Sequence, residues 1–176
     1  AAGGDLIIAE LSDASSLDPH GSNDVSSSNV QSNLYDTLVV RDENGEIAPS
    51  LAESWTQVDD LTWEFKLKTG VTFHDGEVFN AEAGKANFDR VLDPKVASPR
   101  AHLYEMITDV TVVDENTVQF KTEYPFSPLL AHLTHNGGGM ISPKAIADDY
   151  AAMEADDSLK AGTVISTAPV GTGPFK

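Results

Sequence analysis

Apolar and polar positions alternate over LTWEFKLKTG. Leu61, Trp63, Phe65 and Leu67 share one face, while Thr62, Glu64, Lys66 and Lys68 share the other. A period of two marks a strand with one side in a core and one in water. DVTVVDENTVQFKT repeats the pattern: Val110 and Val112, then Val118 and Phe120, alternate about Asp114-Glu115-Asn116, which predicts a hairpin. Near the start, Leu6, Ile7 and Ile8 are consecutive within Asp5 to Leu11, which predicts a strand buried on both faces. The segment that follows, SDASSLDPHGSNDVSSSN, is rich in Ser, Asp and Asn and predicts a loop.

Other stretches follow the helical period. Val30, Leu34, Tyr35 and Leu38 predict a helix within residues 30–40, followed by a tight turn at Glu43-Asn44-Gly45-Glu46. In GVTFHDGEVFNAEAG, Val71 and Phe73 end a strand, Asp75-Gly76 turns the chain, and Asn80 is placed to cap an amphipathic helix. Its buried stripe is Ala83, Ala86 or Asn87, Phe88 and Val91, and Pro94 follows its end. SPLLAHLTH predicts a short helix, NGGG a flexible loop, MISP a strand end, and PVGTGPFK a rigid turn opening into a further strand.

Charge narrows the function. There are 28 acidic residues against 11 basic ones, a formal net charge of −17. A phosphate backbone needs a Lys/Arg-rich face and an anionic membrane needs a polybasic patch, so neither is an expected partner. The acid excess peaks in DDYAAMEADD (Asp148 to Asp157), expected to be a solvated helix or loop. With no cysteine, thiolate chemistry and disulfides are excluded. No run approaches the roughly 20 apolar residues of a membrane-spanning helix. The small-residue opening AAGG is how a processed export product would begin.

Candidate catalysts fall away one by one. His74 and Asp75 are adjacent on a strand end, so their side chains point to opposite faces, and HDG reads as a turn. GTG and GGG lack the Lys-Ser/Thr of a phosphate loop. His132 and His135 are three apart on one helix, a spacing more often met on ordinary amphipathic helices than at a metal. No cofactor and no metal are expected, and nothing argues for an enzyme.

SLDPH (Ser16 to His20), LYDTLVVRDENGEIAPSLAESW (Leu34 to Trp55), LTWEFKLKTGVTFHDGEVFNAE (Leu61 to Glu82), ISPKAI (Ile141 to Ile146) and PVGTGPFK (Pro169 to Lys176) occur in one order across nearly the whole chain. In these segments the sequence resembles the peptide/nickel-binding family (family 5) of extracellular solute-binding proteins, the ligand receptors of ABC importers. The resemblance implies an α/β, periplasmic-binding-protein-like fold (type II, cluster C), this chain being the N-terminal part of a bilobal protein. It implies that residues 1–30 begin the first lobe, 31–165 form an inserted α/β subdomain, and 166–176 return into that lobe. It further implies a peptide ligand, ABC permease subunits as partners, a place at the extracellular face of the membrane or in the periplasm, and membrane attachment only through the transporter or a lipid anchor.

By position, the resemblance to the oligopeptide binders points to the loop after SLDPH, with Ser22, Asn23 and Val25 beside the ligand and the backbone of Asn23 and Val25 pairing with it. Such pairing suits a receptor for many peptides, because main-chain bonds ignore the guest's side chains. Arg100 stands where those binders carry a pocket-facing aromatic. It is expected either to grip a ligand carboxylate or to pair with an Asp or Glu of the protein. Relative to the nickel-chelate binders, Ala97 and Asn136 stand where arginines are expected; Asn136 is retained as a pocket position and nickel becomes the alternative ligand. A peptide hydrolase using Asp75 or His74 and a peptide-sensing or chaperone-like adaptor are the alternatives of other classes.

Overall fold

The predicted hairpin of DVTVVDENTVQFKT forms, and the alternating strand of LTWEFKLKTG joins it in one sheet. In a computed structural model that describes residues 7–176, β3 (Ala52–Asp59), β4 (Thr62–Leu67), β5 (Ile107–Asp114) and β6 (Thr117–Thr122) make an antiparallel sheet of order β3-β4-β6-β5. The expected register holds: Val110 faces Phe120, Val112 faces Val118, and Phe65 faces Val118 on the other side. A smaller hairpin, β1 (Val39–Arg41) with β2 (Ile47–Pro49), closes through the Asn44-Gly45 turn.

Against the sheet lies α2 (Ala81–Leu92), begun by the Asn80 side chain accepting from the Ala83 amide at 3.0 Å. Its buried stripe is Ala83, Asn87, Phe88 and Val91, as the period requires. Phe88 meets Phe120 and Tyr104 edge-on at ring separations of 4.7 and 5.3 Å. Each such contact adds roughly 0.5–1.5 kcal/mol beyond burial. A second, smaller apolar cluster joins α1 (Val25–Leu34), α4 (Pro143–Ala155) and α5 (Thr163–Thr167) through Leu34, Tyr35, Ile141, Ile146 and Ile165. α3 (Leu129–Leu133), the short helix of SPLLAHLTH, packs Leu129 and Leu133 into the main core.

Several expectations are corrected. The first helix begins inside the segment read as a loop and stops at Leu34, while Val39 and Val40 belong to a strand. Asp24 sets the start, its carboxylate accepting from the Ser27 amide at 2.8 Å, which lets a serine-rich stretch fold as helix. Leu6 lies outside the described residues; Ile7 and Ile8 are exposed and pair with no described strand. NGGG is not a free loop. Asn136–Gly138 is a 3₁₀ turn with Gly137 and Gly138 buried, the backbone pressed against Arg100 and Tyr104 too closely for a Cβ. Met140 and Ile141 are buried but irregular rather than strand, the Ile141 amide donating to the Asn87 side chain at 2.8 Å. Asp149, within the acidic run expected to be solvated, is buried.

HDG does turn the chain. Gly76 takes φ 92° and its amide donates to the Phe73 carbonyl at 2.9 Å. Both neighbours also fasten distant segments. His74 Nε2 lies 2.8 Å from the Gly173 carbonyl and its Nδ1 accepts from the Gly171 amide at 3.3 Å, while Asp75 accepts from the Ser142 hydroxyl at 2.6 Å.

Candidate functional site

The loop of residues 16–24 is shaped by polar groups that the fold buries. Asp18 turns it, accepting from the Gly21 amide through its backbone and from the His20 amide through its carboxylate. That carboxylate meets Arg90 of α2 in a two-point grip, with Nη1 to Oδ1 at 3.2 Å and Nη2 to Oδ2 at 2.8 Å. Asp149 of α4 reaches the same guanidinium at 3.1 Å, and its oxygens also accept from the amides of Gly162 and Val164. His20 Nδ1 accepts from Arg90 at 2.8 Å. One arginine thus ties the loop to two helices and the start of a third.

Beside this anchor lie the residues singled out in the sequence. Gln31, fully buried on α1, donates to the Ser16 and Asp18 carbonyls and to the Ser22 hydroxyl, and accepts from the Asn136 side chain at 3.2 Å. Arg100 Nε donates to the Ser22 carbonyl at 2.6 Å, its Nη2 to the Ser28 hydroxyl at 3.2 Å, and its Nη1 contacts His135 Nε2 at 2.9 Å. Ser98 clamps the same stretch to the loop through the His20 carbonyl at 2.6 Å. Ser22, Arg100 and Asn136 are therefore one network, though 114 positions apart in sequence at the extremes (136 − 22). Asn23 and Val25 adjoin it with their side chains exposed. Asp24, between them, is held below the ordinary carboxylate range by bonds from the Ser15 hydroxyl and from Ser27.

The two buried arginines differ in their surroundings. At Arg90 burial works against the charge, and Asp18 and Asp149 outweigh it, raising the group above its ordinary value. Arg100 is only 3% exposed, yet among the described residues no carboxylate comes within 4.0 Å of it. The expected pairing with an Asp or Glu is thus absent among those residues; burial, the largest influence, lowers the group. His20 is pushed down to about 3 by burial and then by Arg90, so it is neutral at physiological pH. His135 is lowered by burial first and Arg100 second.

His132 bonds the Leu103 carbonyl through Nδ1 at 2.8 Å, and His135 is engaged at both ring nitrogens. Among the described residues no group of three His, Cys, Asp or Glu side chains is arranged to hold a metal. A surface groove of about 590 Å³ opens elsewhere, between α2, β5 and α4, with Asp89, Asp93 and Asp109 among its lining.

Arg90 and Gln31 were missed in the sequence, and His135 is weighed there only as a metal ligand beside His132. Arg90 carried a signal, since it stands three positions after Asn87 and beside Val91, at the edge of the stripe of α2 that turns inward. Gln31 and His135 carried none, because their partners are set by tertiary contacts alone.

Comparison with known proteins gives this arrangement a context. Residues 46–176 match the family described as bacterial extracellular solute-binding proteins, family 5 Middle. The glutathione-binding protein GsiB of Escherichia coli (strain K12) is 38% identical over 173 residues, covering 98% of this chain and 31% of that protein. Among solved structures, DppA of Helicobacter pylori in complex with the peptide STSA superposes with a TM-score of 0.76 at 31% identity, over 93% of this chain and 34% of that one. NikZ of Campylobacter jejuni, in complex with Ni(L-His), superposes with a TM-score of 0.75 at 25% identity, over 94% and 31%. The chain spans about a third of the length of these relatives. They are binding proteins rather than enzymes.

Proposed function

We propose that this chain, which belongs to the bacterial extracellular solute-binding proteins of family 5, is part of a receptor that captures short peptides outside the membrane and hands them to the permease of an ABC importer. The observation that carries the peptide reading is the Ser22–Val25 loop. Gln31 and Arg100 hold its Ser22 end and Arg90 anchors Asp18 just before it, while Asn23 and Val25 stay exposed. A rigid loop with accessible backbone pairs with an extended guest at little entropic cost, whatever the guest's side chains. Similarity to a glutathione-binding protein and to a structure holding a tetrapeptide supports small peptides as the ligand class.

In this reading residues 1–30 and 166–176 belong to the first lobe and 31–165 are its inserted subdomain. A second lobe would close over the ligand and exclude water, which strengthens each polar contact. The last segment is fastened to the C-terminal end of α1, the Gly173 amide donating to the Leu34 carbonyl and the Phe175 amide to that of Asn33. A nickel chelate is the second reading, favoured by the likeness to NikZ; Ala97 and Asn136 at the positions expected to be arginine weigh against it. Mass spectrometry of small molecules that co-purify with the complete protein tests the proposal. A peptide, rebinding saturably at one per protein and without cleavage, is the expected result. A metal chelate or a hydrolysed product would overturn it.

A further inference from the structure

The Arg100 cluster has more donors than acceptors. Buried charges are ordinarily paired, and Arg90, with two carboxylates, shows this chain obeying the rule. Among the described residues Arg100 has only neutral acceptors, the Ser22 carbonyl and the Ser28 hydroxyl, besides its contact with His135. His135 deepens the imbalance. Its Nδ1 faces the Gly137 amide at 3.0 Å and its Nε2 faces Arg100 Nη1 at 2.9 Å, so both ring nitrogens look at obligate donors. A neutral imidazole offers one lone pair and one N–H. Whichever tautomer forms, one N–H in this cluster points at another N–H and lacks an acceptor. The cluster is also shallow: His135, Ser28 and Asn136 are half-exposed, and the exposed Asn23 and Val25 adjoin it.

We propose that Arg100 and His135 form a subsite for a carboxylate of the bound ligand, the guanidinium supplying charge and the imidazole a second N–H donor. This rests on the reading of the chain as a peptide receptor, and it names small peptides that present a free carboxylate, at the C-terminus or on an acidic side chain, as the preferred class. The anion provides the acceptor that the cluster lacks and neutralises its charge. An amide at the same place would accept one bond but leave the buried cation uncompensated. Specificity thus arises from a group left unpaired when the wrong guest binds.

Calorimetry on the complete protein tests this with trialanine as free acid and as C-terminal amide, and with Ala-Glu-Ala amide. Wild type should bind the two carboxylate-bearing peptides roughly tenfold or more tighter than trialanine amide, the scale of one charge-assisted contact. Arg100→Gln, which keeps a donor for Ser22, should reduce that preference to about threefold or less, weakening the two acids more than the amide. His135→Ala leaves the Arg100–Ser22 bond in place and should reduce the preference partway, which keeps the test open if Arg100→Gln folds poorly. Preference unchanged in either variant, equal losses for acid and amide, or no preference in wild type would overturn the subsite. Acetate titrated into ligand-free protein gives an arm independent of peptides. It should shift the His135 ring nitrogen resonances in wild type and not in Arg100→Gln. If no peptide binds but acetate responds this way, the receptor reading fails and the anion subsite stands; silence in both removes the subsite.

Discussion

Asp18 and Arg90 meet through both carboxylate oxygens, at 3.2 and 2.8 Å, with neither side chain reaching solvent. Asp149 is a second carboxylate on the same guanidinium, so the three buried charges depend on one another. Asp18→Ala should therefore cost about 3–5 kcal/mol in urea unfolding, the range for breaking a buried pair from one side. Arg90→Met should be comparably harmful, because it strands two buried carboxylates. A loss under about 1 kcal/mol in both would mean that the triad is not what holds the loop.

His20 makes stability depend on pH. Its folded value is about 3, against an ordinary 6.5, so above pH 6.5 it is neutral in both states and contributes no dependence. Below 6.5 the unfolded chain takes up a proton that the folded chain refuses. Stability then falls with falling pH until about 3. At pH 4.5 the loss is roughly 3 kcal/mol, from two pH units at about 1.4 kcal/mol each. Asp24 and Asp93, both lowered, lose their contributions only once pH falls through the ordinary carboxylate range near 4, so the window from 6.5 to 4.5 reports on the lowered histidines, His20 and His135. His20→Asn should reduce the slope of urea stability across that window, leaving the part due to His135; an unchanged slope would contradict the assignment.

At the HDG turn, Gly76→Ala should cost about 1 kcal/mol or more through backbone strain alone, since an added Cβ meets nothing within 4 Å. His74→Ala should also cost about 1–2 kcal/mol by releasing Gly171 and Gly173, yet leave peptide affinity of the complete protein intact. Normal folding with a large drop in affinity would place His74 in the binding site.

Gly171 is required for a different reason. A Cβ there would run into the Leu34 carbonyl oxygen and the Tyr35 ring, both fixed parts of the fold. Gly171→Ala should destabilise by at least 1–3 kcal/mol, as overpacking does, and should weaken the protection of the Gly173 and Phe175 amides against hydrogen exchange. Wild-type protection at those amides would show that the return segment is held some other way.

Regular alternation made β4, β5 and β6 legible in the sequence, and the stripe of Asn87, Phe88 and Val91 did the same for α2. β3 escaped because it is an edge strand exposed along most of its length, so neither face selects apolar residues. The sequence places the bounds of α1 too late because VSSSNVQSNL has little amphipathic pattern; its start is specified by the Asp24 cap and by Gln31, whose partners lie in the loop and the 3₁₀ turn. The glycines of NGGG looked mobile, whereas close packing against Arg100 and Tyr104 is what requires them. At the site, Ser22, Arg100 and Asn136 could be named by resemblance, but the bond pattern that unites them runs through side chains with no local signature.

The central claim is that the loop at Ser22–Val25 presents its backbone to a peptide. Hydrogen exchange of the complete protein, with and without a saturating co-purified peptide, tests it most directly. The account predicts that the amides of Asn23 and Val25 become protected on binding, while those of the exposed Asn44 turn and of Asp59 are unchanged. Saturating peptide that leaves Asn23 and Val25 exchanging at their ligand-free rates would contradict it.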